Sequence, residues 1–205
     1  PERVREAMAE VVGRCIYGVD LNPLAAELAK VSLWLETLDP GRPLAFLDAQ
    51  IKVGNSLIGA TPELIEGGIP NEAFSPLEGD DKKVAAWGKK QNKAESEGQY
   101  DLFDIPGVAL DAEVSEQYED LFEAERPTSL TEVHELERQF KALEESPSLQ
   151  QQRLVADAWC AAFVWPLREG EPKPVTERVL RDLEQGEPPQ ETTLATIQRL
   201  ARGYQ

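Results

Sequence analysis

Residues 15–38 read CIYGVDLNPLAAELAKVSLWLETL and residues 51–59 read IKVGNSLIG. Cys15-Ile16-Tyr17-Gly18-Val19 is a short apolar run rich in β-formers that ends on an acid, Asp20. Asn22 is a good helix N-cap, and Pro23 suits the first helical position, where a missing N–H costs nothing. Leu24, Leu28, Val31, Leu35 and Leu38 then recur every three or four residues, which predicts one face of a buried helix. Asp39-Pro40-Gly41 ends that helix and turns the chain. Ile51-Lys52-Val53 is a second strand candidate, closed by Gly54-Asn55-Ser56. The unit is therefore strand, acid, helix, turn, strand and polar tip, a βαβ crossover.

The two polar tips decide what such a unit does. In open α/β sheets, ligands sit outside the carboxyl ends of the strands. An acid at that place can accept hydrogen bonds from both hydroxyls of a ribose, because a carboxylate offers two oxygens side by side. The alternative is local. Asp20 is then a turn residue or an extra cap, and Asn55 merely turns the chain.

The run G-V-D-L-N-P-x-A-x-x-L-A-K-x-S-L-W-L, followed by P-G-R-P-L-x-F-L-D and G-N-S-L-I-G, resembles the amino-methylating DNA methyltransferases. More narrowly, it is similar to the large adenine-N6 enzymes of type IIG restriction–modification and related phage-defence systems. The likeness is dense over Tyr17 to Gly59 and returns at Ala156-Asp157-Ala158-Trp159-Cys160-Ala161-Ala162-Phe163. The resemblance implies S-adenosylmethionine as methyl donor and a Rossmann-like sheet around it. It implies that Asp20 binds the donor's ribose with Leu21 beside it, and that Asn55, with Ser56, lies near the donor's adenine.

Two parts of that family's pattern are missing. No glycine-rich D-P-A-C-G-S-G-like loop occurs, and no N-P-P-Y or N-P-P-W tetrapeptide. Asn22-Pro23 is followed by Leu24, and Pro188-Pro189 is preceded by Glu187. The expectation is an internal segment of a DNA adenine methyltransferase that supplies part of the donor pocket and no catalytic residue. In the parent, the N-P-P-Y motif would hold the adenine amino group while its aromatic ring stacks on the flipped base. DNA would be contacted through the rest of the parent, and this chain alone would be inactive.

Composition sets the remaining bounds. At 205 residues and 41% hydrophobic content, the chain can bury one sizeable core or two small ones. No apolar run approaches the roughly 20 residues of a membrane span, and no signal peptide is visible, so no membrane partner is expected. Cys15 and Cys160 read as reduced core residues rather than a disulfide or metal pair, which fits a cytoplasmic protein. The net charge is −17. Residues 1–59 carry 6 basic and 8 acidic residues, and residues 60–205 carry 15 and 30. The acid excess thus lies in the second part, which would repel DNA. That part reads as a spacer or docking element.

The pass along the chain gives a partial Rossmann-like α/β segment over 1–59 and an acidic, mostly helical insertion over 60–205. Residues 2–14 predict a helix with Val4, Ala7, Met8, Val11 and Val12 on one side. Thr61 and Pro62 cap a short helix ended by Gly67-Gly68, and 67–81 read as loop. Asp80–Glu97 is a charged helix with few apolar anchors. Its lysines, Lys82, Lys83, Lys89, Lys90 and Lys93, read as a solvated face in preference to a phosphate contact. The stripe Val114, Tyr118, Leu121 and Phe122 gives the acidic segment 111–125 a packing reason, not a metal-binding one. A further helix spans Thr128–Glu145, capped by Ser129 or Thr131. Its His134, the single histidine, has no companion ligand in sequence. Ser148–Trp165 predicts the central helix, with Trp159, Phe163 and Trp165 as core rather than a base-stacking group. Val175–Gln185 and Thr192–Gly203 complete the set.

Two other functions stay open at this point. One is an acidic helical module that docks a partner protein and has no enzymatic activity. The other is a nicotinamide-dependent enzyme, which would need a G-x-G-x-x-G that the chain lacks.

Overall fold

The computed structural model describes residues 2–37, 47–98, 112–123, 127 and 129–204. The predicted turn Asp39-Pro40-Gly41, together with Leu38 and the whole P-G-R-P-L-x-F run, lies outside them. The described chain is mostly helical, with one small parallel sheet. It forms two compact units. One comprises 1–57 with 112–146, and the other 58–111 with 147–204.

The first unit contains α1 (Glu2–Cys15), β1 (Gly18–Asp20), α2 (Pro23–Glu36) and β2 (Ile51–Val53). β1 and β2 pair in parallel, with Gly18 opposite Ile51, Val19 opposite Lys52 and Asp20 opposite Val53. This is the expected crossover, and it supports the α/β class. The start of α2 is also as expected: Asn22 Oδ1 accepts a hydrogen bond from the Leu24 N–H at 3.0 Å, and Pro23 opens the helix.

The inward face of α2 is not the expected one. Ala26 is 1% exposed, whereas Leu24 is 66%, Leu28 58%, Val31 45% and Leu35 58% exposed. Ala26, Ala29 and Leu33 pack with Val12, Leu47 and Ile51 instead. Small alanines let the helix backbone lie close to a sheet of only two strands, and the leucine stripe is turned to solvent. α1 behaves in the same way. Ala9 and Val12 are buried, while Val4, Met8 and Val11 face outward. Its helix also runs one residue into the expected strand, so Cys15 is its last residue and is exposed. The expectation of a core cysteine fails there. A basic Arg14 in the last turn suits the negative end of the helix and favours that extension.

α5 (Ala112–Glu123) and α6 (Leu130–Glu144) belong to the same unit, although they fall inside the segment read from sequence as one insertion. Val114 of α5 and Val133 and Leu143 of α6 are buried. Ser129, one of the two cap candidates, accepts from the Glu132 N–H at 3.3 Å. Alternation along β2 sends Lys52 to the face opposite Ile51. There its ammonium lies 3.2 Å from Glu144 and 4.1 Å from the centre of the Phe140 ring. Tyr118 of α5 donates to the same Glu144 at 3.0 Å.

The second unit contains α3 (Pro62–Glu66), a 3-10 turn (Asn71–Phe74), α4 (Lys82–Gly98), α7 (Pro147–Ala162), α8 (Glu177–Glu184) and α9 (Glu191–Tyr204). α7 is central and packs on both α8 and α9. Its Val155, Ala158, Ala161 and Ala162 are buried with Phe74, Leu180, Leu183 and Ile197. The helix stops at Ala162, short of the expected Trp165. Trp165 is buried in the following segment, with its indole N–H donating to the Pro172 carbonyl at 2.9 Å. Trp159 and Phe163 are partly buried against this core, with ring centres 4.7 Å apart.

A polar lock holds α4 to α8. The N-cap residue Thr176 makes no side-chain cap. Instead Asn92 Oδ1 accepts from the Glu177 N–H at 2.8 Å, and Glu95 Oε2 accepts from the Arg178 N–H at 3.0 Å. Asn92 Nδ2 donates to the Ile69 carbonyl at 2.8 Å. Glu177 accepts from the Ile69 N–H and from Arg181 Nε, each at 2.8 Å. Gly68 makes room for this carboxylate. Its φ of +74° suits glycine, and a Cβ there would collide with the Glu177 side chain.

Candidate functional site

The candidate site is the carboxyl end of the β1–β2 pair. Asp20 is the last residue of β1, and Asn55 follows β2 by two residues. Because the strands are parallel, both residues stand at the same end of the sheet. The Gly54 N–H donates to the Asp20 carbonyl at 3.0 Å, so the pairing continues to the tip.

Each tip side chain also makes a local turn. Asp20 Oδ1 accepts from the Asn22 N–H at 2.7 Å, and Asn55 Oδ1 accepts from the Leu57 N–H at 2.9 Å. These are the turn roles set out as the local alternative, and both are present. They use one oxygen of each side chain. Asp20 Oδ2 and Asn55 Nδ2 have no hydrogen-bond partner among the described residues, which leaves an acceptor and a donor at one sheet end. Asp20, Leu21 and Ser56 are exposed and Asn55 is half-buried. Leu21 at 60% and Leu57 at 92% exposure add apolar surface beside the polar groups.

The helix that carries this turn is fastened from behind. Lys30 lies 2.7 Å from both Glu27 and Asp48, which ties α2 to the segment entering β2. Burial pulls the Lys30 ammonium down, but its hydrogen bonds and attraction to Asp48 and Glu27 outweigh this and leave its pKa above the ordinary lysine value. Sequence reasoning missed this lysine, since Asp48 lies 18 residues away and no local pattern joins them.

The other sequence candidates fall elsewhere. The second stretch of the resemblance, 156–163, lies in α7 and the residue after it, in the second unit, whereas Asp20 and Asn55 belong to the first. Burial, with the Asp157 charge beside it, pushes the Cys160 thiol up, away from the thiolate form a nucleophile needs. His134 is exposed and pairs with Glu137 at 3.0 Å. Among the described residues, no group of three metal-ligating side chains occurs. Lys82, Lys83, Lys89, Lys90 and Lys93 are all exposed along α4. A groove of about 470 Å³ between α5 and α6 is lined by Gln117, Asp120, Leu121, Gln139, Ala142 and Leu143, none of them a strand-tip residue. No helix among the described residues is long and apolar enough to cross a membrane. No protein family, no curated protein and no solved structure matches this chain.

Proposed function

We propose that the chain supplies part of the S-adenosylmethionine pocket of a DNA adenine-N6 methyltransferase of the restriction–modification or phage-defence kind. The observation that carries this reading is the parallel register, which sets Asp20 and Asn55 at one end of a βαβ crossover. In this reading the sheet is a partial Rossmann-like one. Asp20 accepts the two ribose hydroxyls through its carboxylate, and Leu21 packs beside them. Asn55 and Ser56 meet the donor's adenine edge. S-adenosylmethionine supplies the methyl group when bound. The chain's own residues bind and orient it, and the glycine-rich and N-P-P-Y motifs are to come from another stretch of polypeptide.

A second reading is an acidic helical interaction module without enzymatic activity. It is favoured by the charge of residues 60–205, where 30 acids outnumber 15 bases. Calorimetric titration of the full-length protein with S-adenosylmethionine separates the two. The donor reading expects saturable binding that falls at least tenfold on Asp20→Ala, since charge-assisted hydrogen bonds are worth about 1.5–3 kcal/mol each. Stability should change little, because Asp20 is exposed. An unchanged dissociation constant, or no binding, would remove the donor reading and leave the module.

A further inference from the structure

We infer that the outer side of α4 is a contact surface for single-stranded nucleic acid, with lysines for the phosphates and Trp87 for an unpaired base. Residues 82–94 contain five lysines and no acid. Lys83, Trp87 and Lys90 stand at i, i+4 and i+7, so they share one side of the helix. Lys82 and Lys89 form the next row. These four lysines are exposed, and none makes an ion pair among the described residues. Lys30, Lys52 and Lys141, by contrast, lie 2.7, 3.2 and 3.9 Å from carboxylates. In a chain of 38 acids and 21 bases, four neighbouring lysines without an acid are a positive surface open to an outside anion.

The surface is held in place. A Cβ on Gly88 would stand 2.8 Å from the Phe74 ring and 3.4 Å from Pro174, so α4 lies close on the unit at that point. Asn92 and Glu95 fasten the same helix to α8. Beside Pro174, the Lys173 ammonium lies 5.4 Å from the centre of the Trp87 ring. The surrounding charge does not forbid an anion. Residues 112–146, in the first unit, carry 11 acids and 3 bases, whereas 58–98 and 147–204 together carry 16 and 12. Four of those 16 are spent inside the second unit: Glu95 and Glu177 are buried, as are the side chains of Asp80 and Glu184.

Trp87 selects the occupant. It is 40% exposed and is the one large exposed apolar side chain of α4. An aromatic ring among lysines offers a stacking face to a base and charges to its backbone. A duplex keeps its bases paired, out of reach of a surface ring. An anionic membrane would call for a whole apolar face beside the lysines. An acidic peptide would answer the lysines and leave the ring unused. This inference does not rest on the donor reading, since it uses no strand-tip residue.

The test is fluorescence anisotropy of a fluorescein-labelled 15-residue oligothymidylate with the 205-residue chain at low salt. A 15-base-pair duplex and a polyglutamate peptide of the same charge as the oligonucleotide serve as competitors. The oligothymidylate should bind saturably, and each competitor at least fivefold more weakly. Trp87→Ala should weaken oligothymidylate binding at least fivefold and leave polyglutamate within twofold. The double change Lys83→Ala with Lys90→Ala should weaken it at least tenfold and flatten its salt dependence by about 1.4 logarithmic units per decade. Arg138→Ala with Lys141→Ala on α6 alters the net charge equally and should leave it within twofold. The inference is overturned by no binding of the oligothymidylate, by either competitor binding as tightly, by indifference to Trp87→Ala, or by equal loss from the two double changes. The competitor comparison needs no mutation, so a variant that fails to fold does not shield the inference.

Discussion

The two compact units differ in where their apolar side chains point. In the second, Ala158, Ala161 and Ala162 of α7 and the side chains of Trp165, Leu180 and Ile197 are at most 2% exposed. A polar lock through Asn92, Glu95 and Glu177 closes the ends of α4 and α8. In the first, the core of the βαβ part is Val12, Ala26, Leu47 and Ile51 with a few half-buried neighbours. Leu24, Leu28, Val31 and Leu35 of α2 lie outside it. A two-stranded parallel sheet buries little, because parallel strands are ordinarily covered on both faces. The contrast is between a unit that covers its large apolar side chains and one that leaves several of them facing solvent. The candidate site and the exposed leucine stripe of α2 both belong to the first.

The comparison can be broken by substitution. Trp165→Ala should have the largest effect, destabilising the second unit by about 3–5 kcal/mol, since it removes a buried ring and leaves a cavity. Urea unfolding followed by tryptophan fluorescence measures it. A cost below about 1 kcal/mol would mean that this core is not the anchor described here. Asn92→Ala should come next, at about 2 kcal/mol. It strips the Glu177 N–H and the Ile69 carbonyl of buried partners, and unsatisfied groups cost about 1–3 kcal/mol. Thermal unfolding of Asn92→Ala beside Asn92→Asp sharpens this, because the aspartate keeps the acceptor for Glu177 and loses the donor to Ile69. Leu28→Gln, in the first unit, should be the smallest, within about 0.5 kcal/mol, as for a surface site. A loss of about 2 kcal/mol or more would show that the leucine stripe is core after all.

Much of the local structure was legible in the sequence. Asn22-Pro23 and Thr61-Pro62 marked helix starts because capping is a contact between near neighbours. The crossover was legible because two short apolar runs flanked a capped helix. Which face of α2 turns inward was not. The leucine stripe carries the stronger apolar signal, while the alanine stripe wins by allowing close approach to a narrow sheet. The hold of α4 on α8 was equally hidden. Asn92 meets partners 23 and 85 residues away and carries no apolar signal. The grouping of α5 and α6 with the sheet also depends on distant contacts, such as Lys52 with Glu144. At the site, the placement of Asp20 and Asn55 followed from parallel topology. Their turn bonds, to Asn22 and Leu57, serve the local role and leave the second polar atom of each to the proposed one.

Amide hydrogen exchange of the full-length protein, with and without S-adenosylmethionine, tests the donor proposal and the contrast together. Peptides spanning 18–24 and 51–58 should exchange more slowly when the donor is added. Those spanning 84–98 and 177–184 should be protected in both conditions and unchanged by it. Unaltered exchange at the two strand tips, or a donor effect confined to α4 and α8, would contradict the account.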